Sequence, residues 1–144
     1  MSGTGTCRRC GPIVFLVDTS VWIKHFSRRD PFDLRDLCQP EERVLCLPVY
    51  QEILQGIRDE TSFRQMQITL RAGWCVESPM TPSLYYEAVA LYRLARRQGL
   101  TVRSSVDCLI AACAIRHDLV VLHSDRDYAA LAAVSPLRHQ AVLP

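Results

Sequence analysis

Four acidic residues stand apart from the rest of this 144-residue chain. Asp18 directly follows an apolar run at residues 13–17, and Asp125 follows another at 119–122, with Asp127 two positions on. Glu52 lies in the segment after a further apolar run at 44–47. Asp107 opens a stretch otherwise made of Val106, Cys108, Leu109, Ile110, Ala111, Ala112 and Ala114. The other acids, such as Asp33, Asp36, Glu41, Glu42, Asp59, Glu60 and Glu87, lie in polar surroundings and read as solvated surface. Two unit charges repel by roughly 4 kcal/mol at about 4 Å and an effective dielectric of about 20, so four gathered carboxylates require protons or a cation. An all-oxygen, acid-rich donor set selects hard divalent ions, Mg²⁺ or Mn²⁺.

Each acid also has an ordinary structural role open to it. Asp18, Asp125 and Asp127 can cap helices, Ser104 and Asp107 have capping-box spacing, and Glu52 can be a solvated helix residue. Those roles do not account for the acids recurring wherever an apolar run gives way to a helix.

The elements that must position them are legible as an alternation. The runs at 13–17, 44–47 and 119–122 are apolar on both faces, as in central parallel strands, with shorter strands expected at 74–76 and, at a sheet edge, 140–143. Helices are expected from Val21 after Thr19-Ser20, over 31–37, after Pro48, over 63–70, from Thr81-Pro82 to a stop at Gly99, over 104–115 and over 127–134. Pro48 is expected to end the second strand. The pattern is α/β: a three-layer sandwich with a parallel sheet and helices on both faces. In such a sheet the carboxyl ends of the strands share one edge, and ligands bind in the crevice there. Asp18 and Asp125 fall at that edge, and the helices carrying Glu52 and Asp107 begin at it.

Composition adds boundaries rather than function. The length suits a single domain over 13–144, preceded by a Gly/Ser/Thr-rich leader at 1–12. Apolar residues make up 49% and charged residues 22%, which excludes wholesale disorder. The net charge of +2 neither announces nor excludes a nucleic-acid partner. No stretch is long enough for a signal or membrane segment, so a cytoplasmic protein with no membrane contact is expected. The seven cysteines are odd in number and mostly in apolar context, as reduced thiols are. Cys7 and Cys10 have zinc-ligand spacing but lack a second pair.

The segments around the four acids, Val17-Asp18-Thr19-Ser20-Val21-Trp22-Ile23, Glu52-Ile53-Leu54-Gln55-Gly56, Asp107-Cys108-Leu109-Ile110-Ala111-Ala112-Cys113-Ala114 and Ser124-Asp125-Arg126-Asp127-Tyr128, resemble the motifs of PIN-domain ribonucleases. More narrowly, they resemble the VapC toxins of bacterial and archaeal toxin–antitoxin pairs. The resemblance implies a parallel sheet of four or five strands and a Mg²⁺- or Mn²⁺-dependent endoribonuclease. By position it makes Asp18, Glu52, Asp107 and Asp125 the catalytic, metal-holding quartet, with Asp18 and Asp107 the foremost ligands. Asp127 matches an accessory acid, and Thr19, Ser20 and Ser124 match hydroxyls near the metal. The chain departs from the pattern in its longer leader and in Tyr128, where Phe is common.

Water attack on phosphorus would leave 5′-phosphate and 3′-hydroxyl ends, and no histidine is needed. Basic residues must draw the polyanion to an acidic pocket. The candidates are Lys24, His25, Arg28 and Arg29 after the first helix, and Arg93, Arg96, Arg97 and Arg103 around Gly99. The resemblance further implies a homodimer and a VapB-like antitoxin. The antitoxin is expected between the first helix and 63–70, on an apolar surface built with Trp22, Ile23 and Phe26. Two alternatives share the fold: a housekeeping RNA-processing nuclease and a non-catalytic metal- or RNA-binding module. A haloacid-dehalogenase-type phosphatase would need a second acid at the first strand and a downstream lysine. Here Asp18-Thr19-Ser20 stands, and Lys24 is the last lysine.

Overall fold

The computed structural model describes residues 12–26 and 32–142. Five strands form one sheet: β1 (Phe15–Val17), β2 (Arg43–Cys46), β3 (Trp74–Val76), β4 (Val120–His123) and β5 (Arg138–Ala141). Six α-helices flank it: α1 (Thr19–Phe26), α2 (Leu47–Gln55), α3 (Glu60–Arg71), α4 (Pro82–Arg97), α5 (Ser105–Arg116) and α6 (Asp127–Ala133). The strand order is β3-β2-β1-β4-β5 and every pairing is parallel. β1 and β4 are buried along their whole length, so the sheet centre is covered on both faces.

The order matters more than the count. The chain winds outward from β1 through β2 to β3, then returns past β1 to lay down β4 and β5. The winding reverses between β1 and β4, and an open parallel sheet has its crevice at such a reversal. Val17 pairs with Leu122, and the Asp18 amide extends that ladder to the Leu122 carbonyl at 2.9 Å. Asp18 and the residues after His123 therefore leave the sheet side by side.

Local chemistry explains the element ends. Gly99 has φ of 73°, the left-handed turn a Cβ disfavours, and closes α4. The Leu100 amide reaches the Ala95 carbonyl and the Gly99 amide the Arg96 carbonyl, as in a Schellman stop. Leu84, Ala88, Leu91 and Ala95 form the buried stripe of α4.

Several boundaries differ from the sequence reading, and three of them bear on how the elements end. Pro48 does not end a strand; it sits in the first turn of α2, where its missing N–H has no partner to lose, and Leu47 begins the helix. The expected helix at 31–37 is a three-residue 3₁₀ turn, Leu34–Asp36, whose Arg35 amide is met by the Asp33 carboxylate. The last strand starts at Arg138, two residues early, in register with Val120. The leader through residue 11, with Cys7 and Cys10, and Arg28 and Arg29 lie outside the described residues. The buried apolar cluster runs from Phe15 to Val142. Among the described residues no helix is long and apolar enough to cross a membrane.

Candidate active site

Asp18 leaves β1 with both carboxylate oxygens occupied. Oδ2 accepts from the Ser20 amide at 3.1 Å and the Ser20 hydroxyl at 2.5 Å, and Oδ1 accepts from the Tyr128 phenol at 2.6 Å. The Ser20 Oγ also accepts from the Ser124 amide at 3.0 Å, tying the end of β1 to the end of β4. Thr19, next along, donates its hydroxyl to Glu52 Oε1 at 3.0 Å. That bond links α1 to α2 at the sheet edge.

Asp107 lies in the first turn of α5, whose N-cap is Ser104. Its Oδ1 is 3.3 Å from the Tyr128 phenol oxygen. Its Oδ2 is buried and has no hydrogen-bond partner. Burial, then the charges of Asp18 and Asp125 and the contact with Asp127, push the Asp107 carboxyl up to about 8.

Asp125 is half-buried. Its Oδ1 accepts from the Asp127 amide, and its own amide donates to His123 Nδ1 at 3.1 Å. That donor makes Nδ1 an acceptor, so the His123 proton is assigned to Nε2, facing His139 Nδ1 at 2.9 Å. Burial, reinforced by His139, holds His123 below its ordinary value and so neutral. His123 props the loop rather than offering an acid to the pocket. Asp127 points Oδ2 at the Arg103 and Ser104 amides, at 2.9 and 3.1 Å, and so clamps the α4–α5 connection.

One oxygen from each of Asp107, Asp125 and Asp127 lies within 4.8 Å of the others. Asp18 joins this triad through Tyr128, and Glu52 stands behind Asp18 through Thr19. The donor set is all oxygen, and one buried carboxylate oxygen is orphaned among like charges. An isolated buried carboxylate is costly, and a hard divalent cation offsets that cost. The residues present fit Mg²⁺ or Mn²⁺.

The basic candidates divide. Arg93, Arg96 and Arg97 line a surface cavity of about 260 Å³, and no acid occurs between Glu87 and Asp107. Arg103 is exposed beside the Asp127 clamp. Lys24 is half-buried, and the His25 ring is taken up by the Leu34 amide. Trp22 is buried and stacks under Phe26 at 5.9 Å, so it supports the expected docking surface from beneath instead of lying on it. Phe26, Ile57, Ser62, Gln65, Met66 and Thr69 line a groove of about 400 Å³ between α1 and α3.

Tyr128 is the site residue that sequence reasoning missed. The available signal was a hydroxyl-bearing aromatic directly after three residues holding two acids. Its meaning depends on a contact to Asp18, 110 positions away.

Comparison with known proteins gives a consistent picture. Residues 15–134 match the family described as PIN domain. Ribonuclease VapC11 of Mycobacterium tuberculosis strain H37Rv is 33% identical over 137 residues, covering 87% of this chain and 96% of the relative. Ribonuclease VapC51 of the same strain is 33% identical over 134 residues, covering 90% and 93%. Among solved structures, VapBC-1 from nontypeable Haemophilus influenzae aligns with a TM-score of 0.68 at 16% identity, over 90% of this chain and 98% of that one. VapBC-5 from M. tuberculosis, of the VapBC family of toxin–antitoxin systems, aligns with a TM-score of 0.64 at 21% identity, over 92% and 100%. At those identities the structures speak for the fold alone.

Proposed function

The chain belongs to the PIN-domain family, and from that membership we propose that it is an endoribonuclease, the toxin of a toxin–antitoxin pair, cutting a specific RNA in the cytoplasm. The observation that carries this reading is the clustering of Asp107, Asp125 and Asp127 where the sheet's winding reverses, with one buried Asp107 oxygen left without a hydrogen-bond partner. Relatives named as ribonucleases at 33% identity over most of the chain support the activity. The catalytic unit is residues 13–144, taken as one domain.

Asp18, Asp107 and Asp125 are the residues we assign to hold Mg²⁺ or Mn²⁺, with Glu52 completing the set and Asp127, Thr19, Ser20 and Ser124 in support. When bound, the ion supplies positive charge against the negative charge that builds on the scissile phosphate. The chain's own residues do the rest. Thr19 occupies Glu52 Oε1 and leaves Oε2 open to take a proton from the attacking water. The water oxygen bonds to phosphorus as the bond to the 3′ oxygen breaks, and the departing oxygen takes a proton from solvent, leaving a 5′-phosphate and a 3′-hydroxyl. Arg96, Arg97 and Arg103, with Arg93, take phosphates of the incoming strand, as do Lys24, Arg28 and Arg29.

The test compares wild type with Asp18→Asn on a pool of structured RNAs in Mn²⁺ and in EDTA. Wild type should cut at few sites and leave 5′-phosphates, with the rate at least about 1,000-fold lower in the variant or in EDTA. Cleavage surviving both would remove the proposed mechanism.

For the antitoxin, a VapB-like protein, we assign the α1–α3 groove. Exposed Ile23, Phe26 and Ile68 stand at or near it, apolar surface that a partner can cover. Met66→Glu puts a charge into the groove and should weaken antitoxin binding by about 30-fold, the scale of one interfacial hot spot. Cleavage without antitoxin should be unchanged, and equal binding by the variant in calorimetry would move the dock elsewhere. For a homodimer, the fitting surface is the apolar cleft of about 360 Å³ between α4 and α5, lined by Tyr85, Val89, Tyr92 and Leu109.

A further inference from the structure

Tyr128 is fully buried at the start of α6, and its hydroxyl faces two carboxylates at once. Its Oη is 2.6 Å from Asp18 Oδ1 and 3.3 Å from Asp107 Oδ1. A phenol has one proton to give, and the short contact shows where it goes: Asp18 receives a charge-assisted bond. The ring cannot swing away. It packs against His123 with centroids 4.8 Å apart, and His123 is itself held by the Asp125 amide and His139.

Asp18 then has three donors on its two oxygens, from the Ser20 amide, the Ser20 hydroxyl and Tyr128. A carboxylate has about four acceptor positions, so about one is left for a cation. Asp107 keeps its whole Oδ2. The phenol thus fixes the plane of one acid and the separation of the pair. A phenylalanine here would fill the same space and do neither.

We propose that Tyr128 is a positioning residue for the metal centre: its hydroxyl holds the Asp18 carboxylate in the orientation, and at the distance from Asp107, that a divalent cation needs. The proposal rests on the nuclease reading above. Groups that orient metal ligands typically contribute about 10- to 100-fold in metal affinity when removed.

The experiment measures Mn²⁺ binding by electron paramagnetic resonance on the metal-free full chain, for wild type, Tyr128→Phe, Asp18→Asn and the double variant. Circular dichroism and metal-free melting establish that each is folded. Tyr128→Phe should bind Mn²⁺ about tenfold more weakly. Its cleavage rate should recover to near wild type at saturating Mn²⁺, a rescue that a packing role would not produce. In the double variant the affinity losses should fall short of the sum of the singles, because the phenol acts through Asp18. Unchanged Mn²⁺ affinity in folded Tyr128→Phe, or strictly additive losses, overturns the proposal and leaves the nuclease reading intact. Absence of Mn²⁺ binding by wild type overturns both.

Discussion

In metal-free buffer at pH 8, Asp107→Asn will melt higher than wild type while cleaving RNA at least about 1,000-fold more slowly with metal present. The two effects share a cause. Asp107 sits buried beside Asp18, Asp125 and Asp127, and its carboxyl is pushed up to about 8. The unfolded chain titrates the same carboxyl near the ordinary value of 3.8. Between those two values the folded protein binds more protons than the unfolded one, so stability falls as pH rises through the window. Below it both states are protonated, and above it both are ionised, so the slope vanishes at each end. At about 1.4 kcal/mol per tenfold difference in proton affinity, a window of about four pH units corresponds to roughly 6 kcal/mol, or on the order of 10–20 °C of melting temperature for a chain of this size. Asparagine has no charge to bury, so the variant should show little of this slope. Calorimetry at pH 5 and pH 8 in EDTA reads both curves. A variant that melts lower than wild type at pH 8, or keeps its slope, would remove the electrostatic account of the site.

Asp127→Ala and Asp127→Asn should separate two roles that one side chain combines. Oδ2 holds the Arg103 and Ser104 amides, fixing the entry to α5 and hence the place of Asp107. The same carboxylate also belongs to the acidic triad. Alanine abandons two backbone donors to a charged partner, at roughly 1.5 kcal/mol or more each. That should lower the melting temperature by about 10 °C. Asparagine keeps an oxygen acceptor and should retain most of the stability, yet it removes a charge from the triad. We expect cleavage by Asp127→Asn to drop about tenfold, with a higher Mn²⁺ requirement. Equal melting of the two variants would show that the amide clamp contributes little to stability.

The acids were legible in the sequence because each strand-to-helix junction is written locally, as a run apolar on both faces and then a polar residue. Parallel strands place such junctions on one edge, so spacing alone proposed that Asp18 and Asp125 meet. What joins them was not legible. The Thr19–Glu52 bond, the Ser20 bridge to the Ser124 amide and the Tyr128 contact to Asp18 connect residues 33, 104 and 110 positions apart, and no local pattern encodes them. Trp22 was expected on the docking surface with Ile23 and Phe26, but membership of the first helix does not say whether an aromatic lies on a groove or under it. Pro48 misled because a proline that ends a strand and one that begins a helix share the same fixed φ and missing donor.

The Ser20 bridge and the Tyr128 phenol also set an order of events in time. Asp18 is made early, but the groups that hold it from the end of β4 and from α6 are made late, and β4 itself must add to the open edge of β1 before β5 can follow. Pairings this distant in sequence close slowly, after local helices have formed. A chain growing out of the ribosome therefore has Asp18, Glu52 and Asp107 without a frame to gather them. Its cutting machinery is complete only once nearly the whole polypeptide has emerged, so the translation apparatus that makes it faces a nascent chain without a blade.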